Sequence, residues 1–162
     1  FGTVNIPATL IAFKIIRPAF MKQFRRDVLD YVLIAGTIGA VHLAVLYAVA
    51  YFGSEQNVYL ARSVVTMFIG LLGTLIFWNV HGVDVFEPRT LRTRWQVTVL
   101  GIVLAFFTML VPFLLPEPFQ FMPPTPMLWA LMLAVLALTA TMIHTFTRNR
   151  HLINQLWELF KP

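Results

Sequence analysis

Read from its first residue, the chain alternates long uncharged apolar runs with short polar stretches that hold nearly all of its charge. A globular core can bury one or two apolar helices, but runs of about 18 or more such residues, recurring along a whole chain, need lipid as their solvent. Four full runs recur, at residues 29–52, 63–80, 95–115 and 127–147. A further run over residues 1–16, FGTVNIPATLIAFKII, would cover about 24 Å as a helix, short of the roughly 30 Å hydrocarbon core, and reads as part of a span. The pattern predicts an all-α fold: a polytopic transmembrane helix bundle in a single membrane domain over residues 1–162. In the tail at 148–162, Leu152, Leu156, Leu159 and Phe160 fall close to one helical face with Trp157 beside them, which predicts an amphipathic helix lying at the membrane surface.

The connections follow from what cannot sit in lipid. RPAFMKQFRRDVLD, with Arg17, Lys22, Arg25 and Arg26, is expected to be a loop or interfacial turn, and Arg62 to precede the run at 63–80. HGVDVFEPRTLRTR forms a second polar connection. PEPFQFMPPTP cannot continue a helix and is expected to pack as an extended turn in the opposite interface. The chain opens at Phe1 without methionine and without a basic leader, short apolar stretch and small-residue cleavage site, so sequence is expected to precede it.

Composition agrees with the pattern. Hydrophobic residues make up 59% of the 162 and charged residues 12%, where a soluble domain keeps roughly a quarter charged. With no cysteine, disulfides and thiolate metal sites are excluded. The net charge of +5 does not point to nucleic acid, because the basic residues fall in clusters between apolar runs. Lys14, Arg17, Lys22, Arg25 and Arg26 lie before the run at 29–52, Arg89, Arg92 and Arg94 before that at 95–115, and Arg148, Arg150 and Lys161 after the last, leaving Arg62 alone on the other side. By the positive-inside rule this places the C-terminus in the cytoplasm, with the lipid bilayer as the surrounding partner.

Candidate chemistry is sparse. No nucleotide loop, nucleophile with a nearby base, paired carboxylates or metal-spaced cluster is present, so no catalytic residue and no metal site is expected. All seven acids, Asp27, Asp30, Glu55, Asp84, Glu87, Glu117 and Glu158, lie in loops or at span ends. A midplane carboxylate, the usual mark of a transport path, is absent. Pro7 removes a backbone hydrogen bond and frees a carbonyl, with Thr3 and Asn5 beside it; that carbonyl can bind a cation, or the segment can be a kinked helix whose polar groups bond to neighbours, the commoner case. His42 sits near the middle of its run and His144 near the end of the last, about 20 Å and about 5 Å from the cytoplasmic ends of their helices, so the two do not share a depth for a bis-histidine haem. His42 alone is a candidate pigment ligand or, more commonly, a histidine bonded to a neighbouring helix. His81 is expected at the interface. Gly36, Gly39 and Ala40, with Ala44 one turn on, form a small-residue stripe for close helix packing, and Gly70 and Gly73 a weaker one. Phe52, Trp78, Trp95, Phe113 and Trp129 lie near run ends, where aromatic belts form.

Several pieces carry a resemblance: IPATLIAF with a following RP, FRRDVLDYVLIAGTIGA, ARSVV, and two last runs joined by a proline-rich turn. In order and spacing they resemble the sixth to tenth transmembrane helices of P-type cation-transporting ATPases of the calcium-pump and sodium-pump class, over nearly the whole chain. The resemblance implies that residues 1–16 are a truncated sixth helix, unwound near Pro7 to form the ion-binding region, with Thr3 at a polar position of that helix. Where an aspartate normally follows, this chain has Val4; a register one residue away puts Asn5 in the ligand place. Where calcium pumps carry an acid in the eighth helix, it has Gly73 or a neighbour. The family's phosphorylated aspartate, nucleotide domain and actuator domain precede this region, so the chain alone would not hydrolyse ATP, and ATP and Mg would act only through those domains. The partners implied are the preceding helices of the same pump. Without the resemblance, the absence of embedded acids fits a non-catalytic membrane subunit packed in a larger photosynthetic or respiratory complex.

Overall fold

The computed structural model describes residues 24–114 and 116–149, and among them every regular element is helical. The elements are α1 (Phe24–Gly53), α2 (Val58–Val80), α3 (Pro88–Thr93), α4 (Trp95–Leu114), α5 (Pro116–Phe119) and α6 (Pro126–Arg148). Within them lie four stretches long and apolar enough to cross a membrane: Tyr31–Gly53, Val58–Val80, Trp95–Leu114 and Pro126–Arg148. At 1.5 Å per residue each covers about 30–35 Å, the thickness of a hydrocarbon core.

Three boundaries differ from the sequence reading, each for a local reason. The helix of α1 already runs through Phe24, so FRRD is helical and not a turn. Charge excludes these residues from lipid but not from a helix that projects beyond it. The start of α2 is Val58, five residues before the expected one, because Asn57 caps it: the side-chain oxygen accepts from the Leu60 N–H at 3.1 Å. Arg62 therefore lies inside the helix, its guanidinium donating to the Phe119 carbonyl at 3.4 Å. The proline-rich connection holds one helical turn, α5, before Gln120 takes φ 53° and the chain turns back through Phe121. Thr125 then caps α6, with Pro126 in its first turn, where no N–H is needed.

Packing centres on α2. Of its apolar window 50% is buried, against 17–22% for the other three spans, which makes it the hub. On one side Leu46 and Ala50 of α1 and Met132 of α6 close over Leu60, Val64, Met67, Phe68 and Leu71. On the other, Val97 and Leu104 of α4 pack with Phe77 and with Val83 of the following loop. The outer faces remain apolar, including Val41, Val45, Ile69, Ile102, Phe106, Phe107, Leu133 and Leu138. So large an exposed apolar surface suits lipid and not water. Hydroxyls inside the spans turn back on their own helices: Thr74 to the Gly70 carbonyl, Thr108 to Leu104, Thr139 to Val135 and Thr145 to Thr141, at 2.7–3.0 Å.

Candidate functional site

Glycines set where helices touch, and only part of the expected stripe is used. Gly39 is buried against α2, and a Cβ there would stand 2.8 Å from Leu72 Cδ2. Gly36 has nothing within 4 Å of a Cβ, and Ala40 and Ala44 are exposed. The seam of α1 is Ala35, Gly39, Leu46 and Ala50, leaving Gly36, Ala40 and Ala44, one turn apart, on an outward face. Gly70 receives Thr108 of α4 so closely that any Cβ would overlap it, and Gly73 is half-buried. The glycine that matters most between α2 and α4 is Gly101, which no stripe pointed to: the Trp78 indole lies directly over it and donates from Nε1 to the Val97 carbonyl at 3.1 Å. The lone glycine of a long apolar run was the available signal. Trp78, near the end of α2 as expected, is thus also a packing residue between helices.

Midway along its span, His42 meets α6. Its Nδ1 lies 3.1 Å from Thr139 Oγ1, and that hydroxyl donates its proton to the Val135 carbonyl at 2.7 Å. With the hydroxyl proton committed to Val135, the hydroxyl oxygen is left to accept from the His42 Nδ1–H. His42 is half-buried, and its Nε2 makes no hydrogen bond among the described residues. In a neutral imidazole bonded in this way, Nε2 holds the lone pair that accepts a hydrogen bond or ligates a metal.

The polar side chains gather at the end of the bundle that carries the basic loops. Here the loop after α2 folds under α6. His144 Nδ1 lies 3.1 Å from Asp84 Oδ2, with both side chains about a quarter exposed, and Phe86 lies against the imidazole with ring centres 4.7 Å apart. Arg148 and Glu87 follow at 3.8 Å. Thr90 ties the loop together: it accepts the Asp84 N–H at 2.9 Å and its hydroxyl lies 2.8 Å from the Glu87 carbonyl. Gly82, at φ 71°, makes the turn after α2, and Arg94 reaches back to donate to the His81 carbonyl. His81, expected at the interface, is buried, its Nδ1 2.8 Å from the Phe77 carbonyl. In the last turn of α2, Asn79 donates to the Tyr31 hydroxyl of α1 at 3.2 Å.

The opposite end is closed by Ser63, fully buried, which accepts the Met122 N–H and lies within reach of the Tyr59 carbonyl, both at 2.9 Å. Among the described residues no three of His, Asp and Glu converge as a metal site would require. Thr3, Asn5 and Pro7, and the amphipathic tail beyond residue 149, lie outside the described residues. Ser63, Asp84, Thr90, Gly101 and Thr139 were not singled out by the sequence, because their roles depend on which helix faces which.

Four apolar helices joined at their ends by polar contacts define a multi-pass α-helical membrane protein. No family model, curated protein or solved structure matches the chain.

Proposed function

We propose that this chain is the membrane-domain portion of a P-type ATPase ion pump, supporting the transport path and not hydrolysing ATP by itself. The observation that carries the supporting role is how the polar groups are spent. No acid lies in Trp95–Leu114, Val58–Val80, Tyr31–Gly53 or Pro126–Arg148, and the mid-span hydroxyls of Thr74, Thr108 and Thr139 bond to their own helices, Thr139 also to His42. Such a bundle holds position and offers no carboxylate to a cation. In this reading Thr3, Asn5 and Pro7 face the path, and ATP and Mg act through domains encoded upstream. The test is to read the coding sequence before Phe1. An uninterrupted frame with a DKTG phosphorylation motif supports the reading, and a nearby start codon sinks it.

A second reading, a non-catalytic subunit of a larger membrane complex, is favoured by the outward face of Gly36, Ala40 and Ala44, on which none of the described residues packs. Co-purification with a stable partner in detergent, without ATPase activity, supports that reading; a solitary monodisperse chain counts against it. His42 as a pigment ligand is dismissed if the absorbance spectrum of the purified protein is unchanged in His42→Ala.

A further inference from the structure

The loop between α2 and α4 has unequal fates for its charges. Its two acids are taken up by α6, Asp84 against His144 and Glu87 against Arg148. Of its three arginines, Arg94 turns inward to the His81 carbonyl. Arg89 and Arg92 are exposed, and among the described residues their guanidiniums have no hydrogen bond or ion pair. They stand three residues apart on α3, which puts them side by side on one face, about 5–6 Å apart at Cβ. The opposite face is anchored by Leu91, packed with Phe77 and Val97, and by Thr90. The two cations are therefore held on a fixed platform and not on a free loop.

That platform lies where α2 ends at Val80, α4 begins at Trp95 and α6 ends at Arg148. It is at the depth where spans leave the hydrocarbon, and phosphate groups of lipids occupy that depth. Apolar side chains flank it: Phe86 is 50% and Trp95 61% exposed, both placed to enter the acyl boundary while the guanidiniums reach outward. Arginine pairs recognise phosphate through parallel N–H donors, and among the described residues no acceptor engages those of Arg89 and Arg92.

We propose that Arg89 and Arg92, with Phe86 and Trp95 beside them, form a binding site for the headgroup of an anionic phospholipid. A zwitterionic headgroup brings its own ammonium to the phosphate and gains less from the two cations. Near a charged surface each arginine contributes about five-fold in affinity, so the pair gives a preference of about thirty-fold for an anionic lipid.

The experiment titrates the purified full chain, in non-ionic detergent, with phosphatidylglycerol or phosphatidylcholine and counts bound lipid by native mass spectrometry. The expected result is one phosphatidylglycerol bound about thirty-fold more tightly than phosphatidylcholine, a preference lost in R89Q/R92Q and only partly kept in R89K/R92K, which retains the charges but not the paired N–H donors. Both residues are exposed, and an unchanged far-UV circular dichroism spectrum verifies that the variants fold. Equal affinity for the two lipids overturns the proposal, as does a preference that survives R89Q/R92Q. A third arm adds inorganic phosphate at the concentration of the lipid: a lipid site keeps its phosphatidylglycerol, whereas complete displacement identifies a site for free anions and overturns the proposal.

Discussion

Replacing Gly101 with alanine probes the contact between α2 and α4 at the point where it is tightest. A Cβ on Gly101 falls inside contact distance of three atoms of the Trp78 indole, of which Cδ1, at 2.8 Å, is the least crowded. To regain an ordinary contact of 3.4 Å the ring must withdraw by about 0.6 Å at Cδ1 and further at Nε1. That movement pulls the indole N–H off the Val97 carbonyl, now 3.1 Å away. A hydrogen bond between membrane helices contributes about 0.6 kcal/mol on average and up to about 1.7. Overpacking adds about 1–3 kcal/mol. A total near 2 kcal/mol is expected, about thirty-fold in the folding equilibrium. The decisive comparison is with Trp78→Ala, because the new methyl group then enters space the indole has left, and the cost of Gly101→Ala should fall below about 0.5 kcal/mol. Unfolding by sodium dodecyl sulfate in mixed micelles, followed by far-UV circular dichroism, measures all four corners of the cycle without relying on tryptophan fluorescence. Equal costs of Gly101→Ala in the two backgrounds would refute the argument.

Three further outcomes follow from the polar contacts. Ser63→Ala removes the 2.9 Å acceptor of the Met122 N–H, a part-buried contact, and should cost about 1 kcal/mol; unaltered hydrogen exchange at that amide would show that the contact does not hold the connector. Thr139→Val strips the acceptor from His42 Nδ1–H and should cost about 1 kcal/mol, while Thr139→Ser retains it; equal stability of the two variants would dismiss the bond. Asp84→Asn, at a pair about a quarter exposed, should change stability by less than about 1 kcal/mol yet speed thiol labelling of a cysteine placed at Phe86, and an unchanged labelling rate would mean that the ion pair does not pin the loop.

The spans were legible because lipid imposes a one-dimensional rule: an uncharged run of sufficient length is a helix, whatever surrounds it. The ends of those helices were less so. Asn57 and Thr125 cap α2 and α6 through their side chains, and charge alone put the start of α2 at 63 instead of 58. Rotation about each helix axis was least accessible. Gly36 and Gly39 read as one stripe, yet three residues turn a helix by about 300°, and only Gly39 meets Leu72. For the same reason Thr139 could not be recognised as the partner of His42 until α1 and α6 were placed side by side. The polar end site draws Asp84 from a loop and His144 from a helix 60 residues later, a pairing that no local pattern encodes.

Everything rests on four spans threading in alternation, so that the connection carrying Thr93 and the position of Asn149 share one face of the membrane while Gln56 and Gln120 share the other. Since the chain has no cysteine, single cysteines at these four exposed sites can be labelled in intact vesicles with a thiol reagent that does not cross the bilayer. The expected result is that Thr93→Cys and Asn149→Cys label from one side and Gln56→Cys and Gln120→Cys from the other. Labelling of Thr93→Cys and Asn149→Cys from opposite sides would contradict the arrangement.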